Sequence, residues 1–113
     1  MRRSVQLWEV ASVSAHHEYD PAKAQAAAEA YDAQAVATRY IAPRVAFDLA
    51  CEHVRPGQSL LDIGIGTGLS SVPFREAGLS VAGMDVSQEM LDVCRWKGFA
   101  DLTLHNLTVL PYP

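Results

Sequence analysis

Gly64, Gly66 and Gly68 occupy alternate positions of the loop Gly64-Ile65-Gly66-Thr67-Gly68, and Asp85 follows 17 positions after the last of them. Glycine lets a chain turn tightly and lets a ligand approach the backbone with no Cβ in the way. Backbone N–H groups at the start of a helix favour negative or electron-rich ligand atoms. A carboxylate at the end of the next strand can accept both hydroxyls of a ribose. The chemistry these residues point to is capture of a nucleoside outside the carboxyl ends of strands. Each piece has a second reading. A strand-to-helix turn can need glycine for geometry alone, and Asp85 can cap a helix beside Ser87. Their order along the chain favours the ligand reading.

The glycine spacing narrows the ligand. A dinucleotide loop reads G-x-G-x-x-G, but here Leu69 or Ser71 falls where the last glycine belongs. Other chemistries are poorly served. Cys51 and Cys94 lie 43 positions apart, His16 and His17 are adjacent, and His53 and His105 stand alone. That spacing does not suit a zinc site, so no metal is expected and both thiols read as reduced and structural. A formal charge of −4 argues against a broad phosphate-binding surface. No apolar run approaches the roughly 20 residues of a membrane span, so a cytoplasmic protein with no membrane partner is expected.

These residues need elements to hold them. Residues 1–20 show no sustained period and read as a loose arm. Asp20 and Pro21 suit an N-cap and a first helical position, and Ala22 to Ile41 is rich in helix formers. A second helix is expected from Pro43 to about His53, with Val45, Ala46, Leu49 and Ala50 as its buried stripe. Ser59–Ile63 reads as a parallel strand buried on both faces. Thr67 to about Ala77 reads as a helix in which Pro73 forces a kink or a late start. Leu79–Met84 is a second strand. Ser87 caps the next helix, with Met90, Leu91 and Cys94 inward and Gly98 as its stop. Leu102–His105 is a short third strand. The order predicts an α/β fold: two helices, then the N-terminal half of a doubly wound parallel sheet of about three strands. The helices would fill residues 21–55 and the sheet residues 56–113.

Leu60-Leu61-Asp62-Ile63 leading into Gly64-Ile65-Gly66-Thr67-Gly68 resembles the first motif of class I, Rossmann-like S-adenosylmethionine-dependent methyltransferases. Val81 to Leu91, with Asp85 and Ser87-Gln88-Glu89-Met90-Leu91, is similar to that family's second motif. Asn106 to Tyr112 is similar to its "G-D-A-x-x-L-P-F" segment. The resemblance is close over 59–91 and looser over 31–113. It implies S-adenosylmethionine as cofactor, with Gly64, Ile65, Gly66 and Gly68 along its methionine part and Asp62 orienting the ammonium group. It further implies Asp85 on the ribose, with Met84 and Val86 flanking it toward the adenine. Asn106 and the backbone N–H of Leu107 would meet the adenine ring, although Asn106 replaces the family's acid and reads equally as a loop amide. Tyr31 covers the methionine end by the same resemblance, or else is a core residue.

The resemblance implies no catalytic residue. Methyl transfer from a sulfonium needs alignment and exclusion of water, and a general base is optional. The acceptor is unidentified, with a small molecule favoured. In the family, acceptor groups come mostly from segments after the fourth strand, so the chain is expected to be a fragment or split subunit, inactive alone. Its first strand would then lie on an open edge able to pair with another chain. A non-catalytic nucleoside-binding module or subunit is the alternative, and an NAD-binding oxidoreductase fragment is disfavoured by the glycine spacing.

Overall fold

A computed structural model of the chain describes residues 17–106 and Thr108. Most of the expected arm at 1–20 and the 109–113 end therefore lie outside the described residues.

Asp20 caps α1 (Pro21–Ala37) as predicted, its Oδ1 accepting from the amides of Ala22 at 3.0 Å and Lys23 at 3.3 Å. Pro21 sits where its missing N–H leaves no bond unmade. The helix stops short of Ile41. Thr38 donates its hydroxyl to the Gln34 carbonyl at 2.9 Å, and Arg39 turns into the left-handed region at φ 53°. In α1 only Ala24 and Ala28 are buried, one turn apart. Their small side chains let α1 lie close on a later helix, α4 (Gln88–Trp96).

The second helix, α2 (Ala42–Ala50), runs into a short 3-10 turn at Cys51–His53. Its predicted buried stripe is not the contact face. Val45 and Leu49 are 45% and 72% exposed, and Ala46 is exposed too. The helix docks instead through Phe47, whose ring meets Phe74 edge-on with centroids 5.1 Å apart. An aromatic edge contact and its larger buried area outweigh the aliphatic face, against which no described element packs closely enough to bury it.

Strands β1 (Ser59–Ile63), β2 (Ser80–Asp85) and β3 (Asp101–Leu104) form one parallel sheet in the order β1-β2-β3. Leu60 pairs with Val81 and Asp62 with Gly83, while Asp85 pairs with Leu104. The predicted α/β half-sheet after two helices is what the chain forms. The first strand departs from expectation, alternating exposed and half-buried along its length. Leu61 and Ile63 are 42% and 51% exposed, because among the described residues one face of β1 lacks a covering layer. Among them, too, β1 pairs only with β2.

The first crossover helix, α3, starts late, at Val72, and runs only to Glu76, with Pro73 in its first turn. That placement resolves the Pro73 conflict, since a proline there removes no intrahelical bond. Ser87 caps α4 as expected, its Oγ accepting from the Met90 amide at 3.3 Å. Gly98 stops it at φ 96°. Under the sheet, Ile65, Leu91, Cys94 and Phe99 form the core, with Val72, Val81, Leu102 and Leu104 against it. Burying a side chain of this kind contributes about 1.5–3 kcal/mol.

Candidate functional site

The site is built where β1 and β2 end. Gly64 and Ile65 both donate their amides to the Met84 carbonyl, at 2.8 and 2.9 Å. Gly66 donates to Asp85 Oδ2 at 2.9 Å, and the Ser87 amide donates to Asp85 Oδ1 at 3.0 Å. Each Asp85 oxygen keeps a lone pair beyond these bonds, and the carboxylate is only half-buried. Asp85 thus both holds the residue that caps α4 and offers an acceptor pair held at a fixed angle.

These bonds correct one expectation. Four of the five loop amides are not free for a ligand, for those of Gly64, Ile65, Gly66 and Gly68 are all engaged within the chain. Nor does a helix start behind Gly66, since α3 begins only at Val72. The loop offers open space instead. Gly64 and Gly66 have φ of 71° and 58°, and a Cβ built on either would meet nothing within 4 Å. Gly68 is different. It is buried, and a Cβ there would lie 2.7 Å from the Phe99 ring and 3.4 Å from Cys94 Sγ. Its lack of a side chain serves packing beneath the loop.

Ile65 points down, 5% exposed, with its side chain over Gly83. Asp62 lies on the same sheet face as Asp85, and its Oδ2 accepts from the hydroxyl of Ser71, which is fully buried. Among the described residues no Lys or Arg forms an ion pair with Asp62 or Asp85. Lys97 instead holds Asp32 at 2.9 Å, and Arg75 lies 4.0 Å over the Phe99 ring. Two carboxylates without cationic partners suit a ligand that brings positive charge and hydroxyl donors.

The remaining predicted residues scatter. Val86 is 67% exposed beside Asp85, while Met84, expected to flank the adenine, is 2% exposed and faces the interior. Asn106 is exposed, and its Oδ1 accepts from the amide and hydroxyl of Thr108 at 3.0 and 2.8 Å. Leu107 lies outside the described residues. Tyr31 is at the surface, 37% exposed, and donates to Glu89 Oε1 at 3.3 Å in the first turn of α4. The Glu89 charge, then burial, raises its pKa above the ordinary tyrosine value.

Two residues under the site escaped a functional reading. Ser71 carries no periodic signal, and Cys94 reads from sequence only as an inward-facing position. The Cys94 thiol donates to the Gly66 carbonyl at 3.0 Å. Burial pushes its pKa up to about 12, with Asp62 and Asp85 adding to the rise and Lys97 and Arg75 opposing it.

Beside the loop, a crevice of about 670 Å³ is lined by Val36, Tyr40, Ile41, Phe47, Leu69 and Pro73, among others. Among the described residues no group of three His, Cys, Asp or Glu is placed to hold a metal ion, and no helix is long and apolar enough to cross a membrane.

A family profile described as a methyltransferase domain matches residues 61–113. Over 88 residues the chain is 38% identical to the malonyl-acyl-carrier-protein O-methyltransferase of Serratia marcescens, a stretch covering 77% of this chain and 33% of that protein. Over 58 residues it is 43% identical to the demethylmenaquinone methyltransferase of Renibacterium salmoninarum, covering 50% of this chain and 24% of that one. The matched stretch is therefore a third or less of the length of these two curated relatives. A Methanococcus maripaludis protein assigned as an S-adenosyl-L-methionine-dependent methyltransferase superposes with a TM-score of 0.54 at 17% identity, over 88% of this chain and 48% of that one. At that identity the likeness shows the fold. The family match and the methyltransferase relatives support S-adenosylmethionine as the cofactor.

Proposed function

We propose, from the match of residues 61–113 to a methyltransferase-domain profile, that this chain supplies the cofactor-binding half of an S-adenosylmethionine-dependent methyl transfer site. The observation that carries the proposal is Asp85, whose two oxygens are fixed by the Gly66 and Ser87 amides beside a loop that leaves open space at Gly64 and Gly66. Asp85 holds the ribose hydroxyls. Asp62, steadied by Ser71, faces the ammonium group, and Gly64 and Gly66 admit the methionine part. Ile65 and Gly68 shape the loop from below, Val86 lies along the adenine, and Asn106 with Leu107 closes that end. Tyr31 stands at the mouth through Glu89.

Bound there, the cofactor supplies a methyl carbon on a sulfonium, displaced in line by an acceptor nucleophile to leave S-adenosylhomocysteine. The chain's own part is to bind, to orient and to shield from water. The acceptor is a small molecule, and the 670 Å³ crevice that begins at Leu69, next to Gly68, is where it approaches. Residues 56–113 form the cofactor part and the helices of 21–55 border the crevice. Transfer requires further fold beside β1, supplied in cis or by a second chain pairing at its open edge. That view is supported by the single pairing of β1 among the described residues and by the share of the relatives that is matched. A nucleoside-binding module without catalysis is the reading left if the cofactor binds but no such completion restores transfer.

Calorimetry with S-adenosylmethionine, S-adenosylhomocysteine and NAD in parallel tests the proposal. Binding of the first two is expected, with at least tenfold weakening in Asp85→Ala, the scale of a lost hydrogen-bond pair to a charged acceptor. Binding of NAD alone overturns it.

A further inference from the structure

Gly66 is gripped through the peptide groups on both sides of its Cα. Its N–H donates to Asp85 Oδ2 at 2.9 Å, and its carbonyl accepts from Cys94 Sγ at 3.0 Å. Cys94 is fully buried on α4, three residues beyond Leu91 in the core and 28 residues from the loop it touches. One contact therefore ties the orientation of the loop to a helix whose entry is itself tied to Asp85 through the Ser87 amide. The loop needs such a tie. Gly66 sits at φ 58° with open space around its Cα, so no side chain of its own limits its rotation.

We propose that Cys94 is a positioning residue for the cofactor: its thiol, by donating to the Gly66 carbonyl, anchors the peptide after Gly66 and so limits rotation about the Gly66 backbone, keeping the Gly66 amide where it holds the Asp85 carboxylate at the angle the ribose requires. The proposal rests on the cofactor reading above. A thiol suits the role chemically. Burial, with Asp62 and Asp85 nearby, keeps it protonated, so it acts as a donor and never as an anion beside two carboxylates. Gly68, whose missing Cβ gives way to the Phe99 ring and to Cys94 Sγ, lets the loop settle onto both. Cys94 touches no reacting atom. It acts through Gly66 and Asp85.

The test compares Cys94→Ser, which keeps a short hydroxyl donor, with Cys94→Ala, which keeps neither donor nor sulfur. Binding of S-adenosylhomocysteine is measured by calorimetry, and exchange of the Gly66 amide by NMR, with each variant's thermal unfolding recorded alongside. A side chain that only fills space predicts similar losses in both variants. A positioning donor predicts that Cys94→Ser binds within about twofold of wild type while Cys94→Ala binds about fivefold more weakly, the worth of one modest hydrogen bond, with faster Gly66 exchange. Equal affinities in Cys94→Ala and wild type, or equal losses in both variants, overturn the inference while leaving the cofactor reading intact. Absence of any nucleoside binding by the wild-type chain overturns both. Should Cys94→Ala fail to fold, Cys94→Ser decides: rescue of affinity and of Gly66 protection supports the role, and loss of either overturns it.

Discussion

Ile65 lies over Gly83 so closely that a Cβ on Gly83 would sit 2.5 Å from Ile65 Cδ1 and 3.2 Å from its Cβ. The contact crosses between the glycine loop and the middle of β2, two residues before Asp85. The loop is thereby seated on the strand that carries the acid, and the Ile65 and Gly64 amides reinforce the seat by sharing the Met84 carbonyl. The distance between the loop and Asp85 follows from this packing before any ligand arrives.

Gly83→Ala is expected to lift Ile65 off the sheet. The whole Ile65 side chain is in the way, and Ile65 is buried, so rotation of one methyl does not relieve the clash. Overpacking of this kind costs about 1–3 kcal/mol. Urea unfolding should show that loss, and the affinity for S-adenosylhomocysteine should fall with it. An unchanged unfolding midpoint would mean that the loop does not rest on Gly83.

The loop glycines should separate by experiment. Gly68→Ala places a Cβ 2.7 Å from the Phe99 ring at φ 84°, so strain and overlap combine to a loss of about 2–4 kcal/mol. Gly66→Ala meets no neighbour and carries only the left-handed penalty of about 1–2 kcal/mol, but it puts a methyl into the open space proposed to admit the cofactor. Gly68→Ala should lower the melting temperature more, and Gly66→Ala should weaken cofactor binding more. The reverse ranking would exchange the roles assigned to the two glycines.

Much of this arrangement was legible from residue types. Asp20-Pro21 located the start of α1, Ser87 and Gly98 bounded α4, and the glycine loop and Asp85 do meet at the ends of β1 and β2. What the sequence did not show depends on contacts between distant positions. The apolar period of α2 named Val45 and Leu49, yet nothing in the period reveals that Phe74 waits for Phe47 instead. Ser59–Ile63 looks like a strand covered on both faces because its composition is apolar throughout, whereas coverage depends on neighbours. The loop amides looked available because Gly-rich turns before helices often present them. Capture of the Gly64, Ile65 and Gly66 amides by Met84 and Asp85 follows from strand register, which spacing alone does not encode.

The two thiols should behave differently toward a thiol reagent. Cys51 is exposed and Cys94 is buried, with a pKa raised to about 12 chiefly by that burial. One equivalent is expected to react in the folded protein near pH 8, and the second only on unfolding. A related pH effect follows. The unfolded Cys94 thiol titrates near its ordinary value of 9.0 and the folded one near 12, so the unfolded chain loses its proton first. This contribution to stability is complete below about pH 9 and declines as pH rises toward 12. Urea midpoints measured from pH 8 to 11 should fall more steeply for wild type than for Cys94→Ser. Parallel slopes would show that burial does not hold the thiol protonated.

Tyr31 offers the last check, because its ionisation reports on α1 and α4 together. Its hydroxyl donates to Glu89 across 58 residues of sequence, and the Glu89 carboxylate is the largest cause of its raised pKa. A tyrosinate beside that carboxylate is disfavoured, so Tyr31 should ionise at higher pH than an ordinary tyrosine. Replacing Glu89 with Gln removes the charge and should bring the titration down. Difference absorbance of wild type against Tyr31→Phe isolates this one phenol, and the same comparison repeated in the Glu89→Gln background measures the change. No downward movement would mean that α1 does not hold Tyr31 against Glu89, which in turn would remove the support for the proposed place of Tyr31 beside the cofactor. If the movement occurs and Tyr31→Phe binds S-adenosylhomocysteine as wild type does, the hydroxyl serves only to join the two helices. Weaker binding in Tyr31→Phe would place that hydroxyl against the ligand.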